Sequence, residues 1–189
     1  MLYKNHLIVS TAISVPIMSQ TGTLTLSNML ALWVGAVLPD IDEPESYIGR
    51  RTRGISDLIH LIFGHRGVTH TLLFVCILAI TFVPLTYKIG HVEIGFWLVV
   101  GSFLHIFEDS FSNSGVKWLL PFTDKTYHIP IYSTGSLVEF LIGIVALIFL
   151  FSVFKSHLFD FQKDSVLNVQ NVKNVFVHLK NTLSEVLLE

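Results

Sequence analysis

Two histidines that flank a glycine form the first chemical pattern in the sequence. His65 and His70 lie five positions apart with Gly67 between them, just before a long apolar stretch. Neutral imidazole is the side chain that most often binds metals, and a turn at Gly67 would aim both rings at one point. Arg66 carries a planar, permanent positive charge that can hold a phosphate or a carboxylate through two hydrogen bonds. The competing interpretation is a group of polar side chains at a membrane interface that reach toward lipid headgroups.

A second pattern pairs an imidazole with a carboxylate. His105 and Asp109 are four residues apart in a segment that predicts a helix, so both side chains lie on one helix face and can bind one metal. Ionisable groups at the end of an apolar span are costly, which favours a functional role. Glu139, near the start of the last apolar segment, is interpreted in the same way. The alternative for the pair is a simple hydrogen bond between the two side chains.

Two further carboxylates follow a proline. Asp40 and Asp42 are two residues apart, a spacing that does not share a helix face. A turn around Pro39 would still let both side chains converge on one hard or borderline cation. The alternative is that the first aspartate caps a helix.

The donor set suggests which metals would bind. It contains imidazoles and carboxylates but no cysteine, since the one cysteine, Cys76, lies in an apolar run. Such donors suit zinc, which we favour, or manganese or iron with a bound water. The candidates outnumber the four or so ligands of one zinc, so either two divalent metals bind or some candidates hold the ligands in place. Two metals about 3.5–4 Å apart are a common device for hydrolysing phosphate esters. The candidate metal ligands are His6, Asp40, Asp42, His65, His70, His105, Asp109 and Glu139.

The composition indicates what kind of scaffold holds these residues. Of 189 residues, 51% are hydrophobic and 14% are charged, whereas a soluble domain carries roughly 25% charged residues. This composition, with a net charge of −2, excludes a disordered chain, a coiled coil and a nucleic-acid binder that relies on a basic surface. The sequence therefore predicts a small membrane protein with several spanning helices.

Apolar segments separated by polar ones predict the helices. Two segments, about 6–19 and 27–38, are each shorter than the roughly 20 residues that cross a bilayer, so they form a hairpin or one of them is re-entrant. Residues 40–66 hold nine charged side chains and belong in water or in a polar site. The remaining apolar segments are 71–87, 94–107 and 137–154.

Passing these helices alternately through a bilayer brings the candidate ligands to one membrane face. The predicted fold is an all-α, polytopic membrane helical bundle over residues 1–154, with a polar metal site gathered at that face. Seven Lys and Arg residues fall on this face and five on the other, a slight bias toward a cytoplasmic location in the inner membrane. Residues 155–189 predict an amphipathic tail helix, because Val169, Val172 and Phe176 recur at steps of three and four.

The motifs together resemble the YdjM-type family of membrane-bound, metal-dependent hydrolases. The resemblance covers about residues 1–150 and depends on the order and spacing of several motifs rather than on any single one. It implies a helical inner-membrane protein with a hydrolase role. The residues that carry it are His6, Asp40 with Asp42, the segment 65–70, His105 with Asp109, the segments 114–116 and 120–122, Thr134, Gly135 and Glu139.

Two positions depart mildly from the family pattern. Thr71 stands where serine is commoner, and Ser112 stands where the family more often has threonine, so a hydroxyl is kept at both. The spacing of His105 and Asp109 is also faintly similar to that of the zinc-dependent phospholipase C and single-strand nuclease group.

The expected function is hydrolysis of a phosphoester in a lipid or another membrane-associated substrate. A metal would activate a bound water, Asp42 or Glu139 would act as the general base, and Arg66 would neutralise the phosphate. The expected partners are membrane lipids and the phosphoester, without nucleic acid. The alternative is a non-catalytic metal site in a sensor, in a transporter or for structure alone, although a transporter more often places polar residues near mid-bilayer. The acidic surroundings argue against haem ligation by two histidines.

Overall fold

The computed structural model describes residues 1–63 and 67–156, and within these ranges the chain is helical without a β-strand. The helices are α1 (Tyr3–Gln20), α2 (Leu26–Val37), α3 (Ile55–Phe63), α4 (Leu72–Lys88), α5 (Val92–Asp109) and α6 (Leu137–Ser156). Short turns of 3-10 helix cover Leu38–Asp42, Gly49–Arg51 and Val68–His70. The predicted all-α class is confirmed. The predicted tail helix lies, from residue 157 onward, outside the described residues.

The first two helices form the hairpin that the sequence predicted as one of two arrangements. α1 ends at Gln20, and Gly22 takes a φ of +69°, a conformation that glycine adopts without steric cost. Thr25 is the N-cap of α2, because its side-chain oxygen accepts a hydrogen bond from the backbone N–H of Asn28. The hairpin returns the chain, so the start of α1 and the end of α2 lie at the same end of the bundle.

Two glycines allow α2 and α5 to pack backbone against backbone. A Cβ atom at Gly35 would lie 2.0 Å from the carbonyl oxygen of Leu98, and one at Gly101 would lie 2.1 Å from that of Leu32. Such contacts are too short for any larger residue, and small residues serve the same purpose between membrane helices. The two helices run in the same direction, so their C-terminal ends meet within the compact unit Met1–Leu150.

Residues 40–66 contain a helix that the sequence did not predict. The segment is rich in charge, as expected, but α3 occupies its second half. The apolar residues of α3 are mostly exposed, Leu61 at 82% among them, so they form little of the core. High charge density earlier in the segment concealed this short apolar helix in the sequence.

One described helix, α6, is long and apolar enough to cross a membrane, judged by length and composition. Only a small share of its residues is buried against the rest of the protein. α4 is also apolar, but it has 17 residues. The polytopic arrangement of the bundle therefore stays a prediction.

Candidate metal centre

Helix ends and short turns bring five of the predicted ligands to one end of the bundle. His6 comes from the first turns of α1, and His105 and Asp109 come from the last turns of α5. Asp40 lies in the 3-10 turn that follows α2, and His70 lies in the turn that precedes α4. The five side chains form two overlapping groups of three whose ligand atoms all lie within 4.8 Å of one another in each group.

The Asp40 group consists of Asp40, His70 and His105. Asp40 Oδ1 lies 3.6 Å from His70 Nε2 and 3.4 Å from His105 Nε2. The two Nε2 atoms are 3.3 Å apart. Ligands that bind a tetrahedral zinc at 2.0–2.1 Å lie about 3.3 Å from one another. The three separations therefore match one face of a zinc tetrahedron.

The Asp109 group consists of His6, His105 and Asp109, all of them buried. His6 Nε2 lies 3.4 Å from Asp109 Oδ1, again a separation expected between two ligands of one ion. The rings of His6 and His105 stack with their centroids 3.8 Å apart. Met1 also contacts Asp109 Oδ1.

Each histidine is held through its Nδ1 atom, which leaves Nε2 directed to the ligand group. His105 Nδ1 donates to the carbonyl oxygen of Ala36 over 2.7 Å. His6 Nδ1 donates to Glu108 Oε2 over 2.6 Å, and Glu108 in turn accepts from Ser10 over 2.9 Å. His6 Nε2 is buried and makes no hydrogen bond to any described residue. Metal-binding histidines are usually fixed in this way by a carboxylate or a carbonyl.

His70 is held by a small hydrogen-bond network. Its Nδ1 lies 3.2 Å from Thr69 Oγ1 and 3.4 Å from Asp42 Oδ2. Asp42 Oδ2 itself accepts hydrogen bonds from the Thr69 hydroxyl and, over 3.2 Å, from the backbone N–H of Gly67. Asp42 therefore lies behind the imidazole and orients it, rather than facing the ligand atoms.

The carboxylates give this end of the bundle a strong attraction for positive charge. Burial lowers the pKa of His70, but hydrogen bonds to Asp40 and Asp42 outweigh it and raise that pKa to about 9. Burial raises the pKa of Asp40, but the charges of His105 and the hydrogen bonds to His105 and His70 hold it well below its usual range. A divalent cation would meet the same attraction and would compete with the proton on His70.

Only one ligand of the two groups is open to solvent. Asp40 exposes 18% of its side chain, whereas His70 and His105 expose none and Asp109 exposes 2%. Solvent would therefore reach the ligand groups past Asp40.

Of the remaining predicted site residues, Glu139 lies in the described part of the chain and does not join the two groups. Glu139 is fully buried, and both of its carboxylate oxygens accept hydrogen bonds. Its Oε1 accepts hydrogen bonds from the backbone N–H of Leu2 and from Asn5 Nδ2. Its Oε2 accepts a hydrogen bond from the backbone N–H of Gly135. It therefore ties the start of α6 to the start of α1. His65 and Arg66 lie outside the described residues, so their proposed roles stay predictions.

Three residues of the site were not recognised from the sequence: Glu108, Ser10 and Thr69. Glu108 is three positions after His105 and Ser10 is four positions after His6, so each lies one helical turn from a ligand. That spacing was the available signal. The partner of Glu108, however, is His6, 102 positions away in the sequence, and such a contact is visible only in the fold.

Comparison with known proteins places the chain in a family. The family described as YdjM inner membrane protein matches residues 1–173. The chain is 38% identical over 110 residues to a Bacillus subtilis (strain 168) protein named "Uncharacterized protein YvsG", a match that covers 58% of this chain and 66% of the relative. It is 42% identical over 88 residues to the inner membrane protein YdjM of Escherichia coli (strain K12), a match that covers 45% of this chain and 44% of the relative. The YdjM protein of Shigella flexneri matches equally well.

The chain spans 66% of the length of the Bacillus subtilis relative and 44% of the length of the Escherichia coli relative. No solved structure matches the chain. The relatives named as inner membrane proteins, together with the apolar helix α6, support an inner-membrane location, while the side of the membrane that the site faces stays a prediction. The family match extends over most of the sequence and includes every ligand of both groups, so the chain belongs to the YdjM inner membrane protein family.

Proposed function

We propose that this chain is a metal-dependent hydrolase that acts on a phosphoester of a lipid or of another membrane-associated substrate. The observation that supports it best is the pair of three-ligand groups that share His105. A divalent metal bound by these ligands would supply a water with a pKa near 7 and would polarise a phosphoryl oxygen. Zinc fits the mixture of imidazole and carboxylate donors and their separations.

The number of ligands favours a catalytic centre over a purely structural one. Structural zinc sites are closed by four protein ligands, whereas catalytic sites have three and keep a position for water. Because His105 belongs to both groups, one ion at a time can have a full set of three ligands, and an ion held by Asp40, His70 and His105 would keep a fourth position for water. The partial exposure of Asp40 gives water a way in. Both features suit hydrolysis.

The protein's own groups have distinct parts in the proposed reaction. The two groups of ligands would hold the metal, and Asp42 and Glu108 hold His70 and His6 in the required orientation. The predicted bases Asp42 and Glu139 bind Thr69 and a backbone amide, so we assign the role of base to the Asp40 oxygen that is not in the ligand group. That oxygen would accept the proton of the attacking water. The water oxygen would bond to phosphorus, the P–O bond to the alcohol would break, and the proton on Asp40 would pass to the leaving oxygen, which gives a phosphomonoester and an alcohol.

The test is turnover of bis(p-nitrophenyl) phosphate by the purified protein in detergent. Replacing His70 with Ala removes one ligand of the Asp40 group, so we expect kcat/KM to fall by at least about a hundredfold. His91→Ala is the matched control, because His91 is exposed at the opposite end of α5. Equal turnover by His70→Ala and wild type would contradict the proposal. Wild type that binds metal but hydrolyses no phosphoester in a broad panel would instead support the non-catalytic alternative.

A further inference from the structure

An apolar groove of about 660 Å³ lies between α1 and α6, and none of the candidate metal ligands lines it. α1 contributes the stretch from Val9 to Pro16, and α6 contributes Val138 to Phe149. All ten side chains that line the groove are apolar, and they include Val145 and Ala146. The volume lies within the roughly 300–1,000 Å³ of small-molecule binding sites. A ligand for this groove has to be apolar over its whole length.

The groove begins next to the metal centre. Val9 is three residues after His6, which is one turn of α1. On the α6 side, Val138 directly precedes Glu139, which binds the backbone amide of Leu2. The neighbouring Met1 contacts the ligand Asp109. A molecule in the groove can therefore have one end close to the ligand groups.

The groove also lies along the helix best suited to cross the membrane. The lining residues of α6 extend over 12 positions, from Val138 to Phe149, a length of about 17 Å at 1.5 Å per residue. That length is about half of the roughly 30 Å hydrocarbon core of a bilayer. In a bilayer crossed by α6, the molecules that surround such an apolar surface are the acyl chains of lipids.

We propose that this groove binds one acyl chain of a membrane lipid whose phosphoester lies at the metal centre. The proposal rests on the proposed hydrolase function and names its substrate class as a chain-bearing phospholipid. The groove supplies binding energy along the chain, and the metal ligands act on the headgroup end. A soluble phosphodiester lacks the chain and gains nothing from the groove.

A substitution that fills the groove tests the contribution of the acyl chain separately from that of the phosphoester. Ala146→Phe places a large ring on a lining position, whereas Ile148→Phe adds the same ring at a position of α6 that does not line the groove. We expect Ala146→Phe to lower kcat/KM for phosphatidylglycerol by about tenfold or more, because the chain loses its contacts. Turnover of bis(p-nitrophenyl) phosphate and the metal content should be unchanged in both variants. Equal loss for both substrates, or equal loss in both variants, would overturn the acyl-chain site.

A binding measurement keeps this proposal distinct from the hydrolase proposal. Phosphatidylglycerol with a diazirine on one acyl chain is incorporated into phosphatidylglycerol vesicles with the protein, and the labelled residues are mapped by mass spectrometry. We expect the label at groove positions in wild type and in Ile148→Phe, and its loss in Ala146→Phe. Label in the groove without any hydrolysis would support the lipid site and contradict the hydrolase. Label spread evenly over the exposed residues of α6, or a groove that stays unlabelled in wild type, would contradict the lipid site.

Discussion

His105 is the residue on which both ligand groups depend. Its Nε2 lies within 3.4 Å of both other ligand atoms of the Asp40 group, and its ring stacks on that of His6. The carbonyl oxygen of Ala36 fixes its orientation from the other side. One imidazole nitrogen binds one ion at a time, so His105 would either serve one of two neighbouring ions or join all five side chains around a single one.

Replacing Glu108 best tests whether the hydrogen bond to His6 Nδ1 orients that imidazole for metal binding. Glu108→Gln keeps the shape of the side chain but removes the charge that accepts from His6 Nδ1. Loss of such a partner typically costs about 10- to 100-fold in metal affinity, and we expect a change in that range. The measurement is a zinc titration against a competing chelator. Glu93→Gln, at an exposed position in the first turn of α5, should bind zinc as wild type does, and an unchanged affinity in Glu108→Gln would contradict the assigned role.

Residue spacing predicted some of the site because a helix fixes which side chains are neighbours. His105 and Asp109 are four apart in α5, and the structure brings their ligand atoms together. The spacing of Asp40 and Asp42 left their relation open, since the 3-10 turn decides which of them faces the other ligands and which lies behind His70. Glu139 has the residue type of a ligand, but the backbone amides that it binds come from a distant part of the chain.

At the scale of the elements, the contact between α2 and α5 positions the metal centre. It sets the distance between Ala36 and His105, and it directs the turn with Asp40 toward α5. A Cβ atom at Gly101 would overlap the backbone of Leu32, and a backbone atom cannot move aside as a side chain can. The helices would have to separate.

Gly101→Ala should therefore weaken both the fold and the site. Overpacking of this kind costs about 1–3 kcal/mol, and we expect a lower midpoint of thermal unfolding in detergent together with weaker zinc binding. Gly143→Ala in α6 is the matched control, because the atom nearest to its new Cβ is the movable side-chain oxygen of Asn5. If Gly101→Ala unfolded at the wild-type temperature and bound zinc equally well, the backbone contact would not have the role assigned to it.

The helices themselves were predictable because apolar runs and polar breaks alternate clearly along the chain. The segments expected at 6–19, 27–38 and 94–107 correspond to α1, α2 and α5, with bounds that differ by one to three residues. α3 was missed because its apolar residues follow a dense run of charge and stay exposed rather than entering the core. The close approach of α2 and α5 requires that each helix presents its glycine to the other. The hydrophobic periodicity of one segment shows which face is apolar, but it does not specify the helix against which that face packs.

At the scale of the whole molecule, the buried ionisable side chains gather at one end of an apolar bundle. The sequence predicted this convergence from the alternation of apolar and polar segments, and the structure brings five of the eight candidate ligands together. The same end is adjacent to the apolar groove along α6. The protein therefore has a polar end that attracts cations beside a long apolar groove. A phospholipid likewise has a polar headgroup beside apolar acyl chains.

The most direct test of the account is the metal content of the protein purified in detergent, measured by inductively coupled plasma mass spectrometry. Wild type and His128→Ala, which changes an exposed histidine outside both ligand groups, should each retain at least about one divalent ion per chain. His105→Ala removes the ligand that both groups share, so its metal content should fall below about a tenth of that value while it stays monodisperse and helical. Wild type without bound metal, or His105→Ala with the wild-type metal content, would contradict the metal centre.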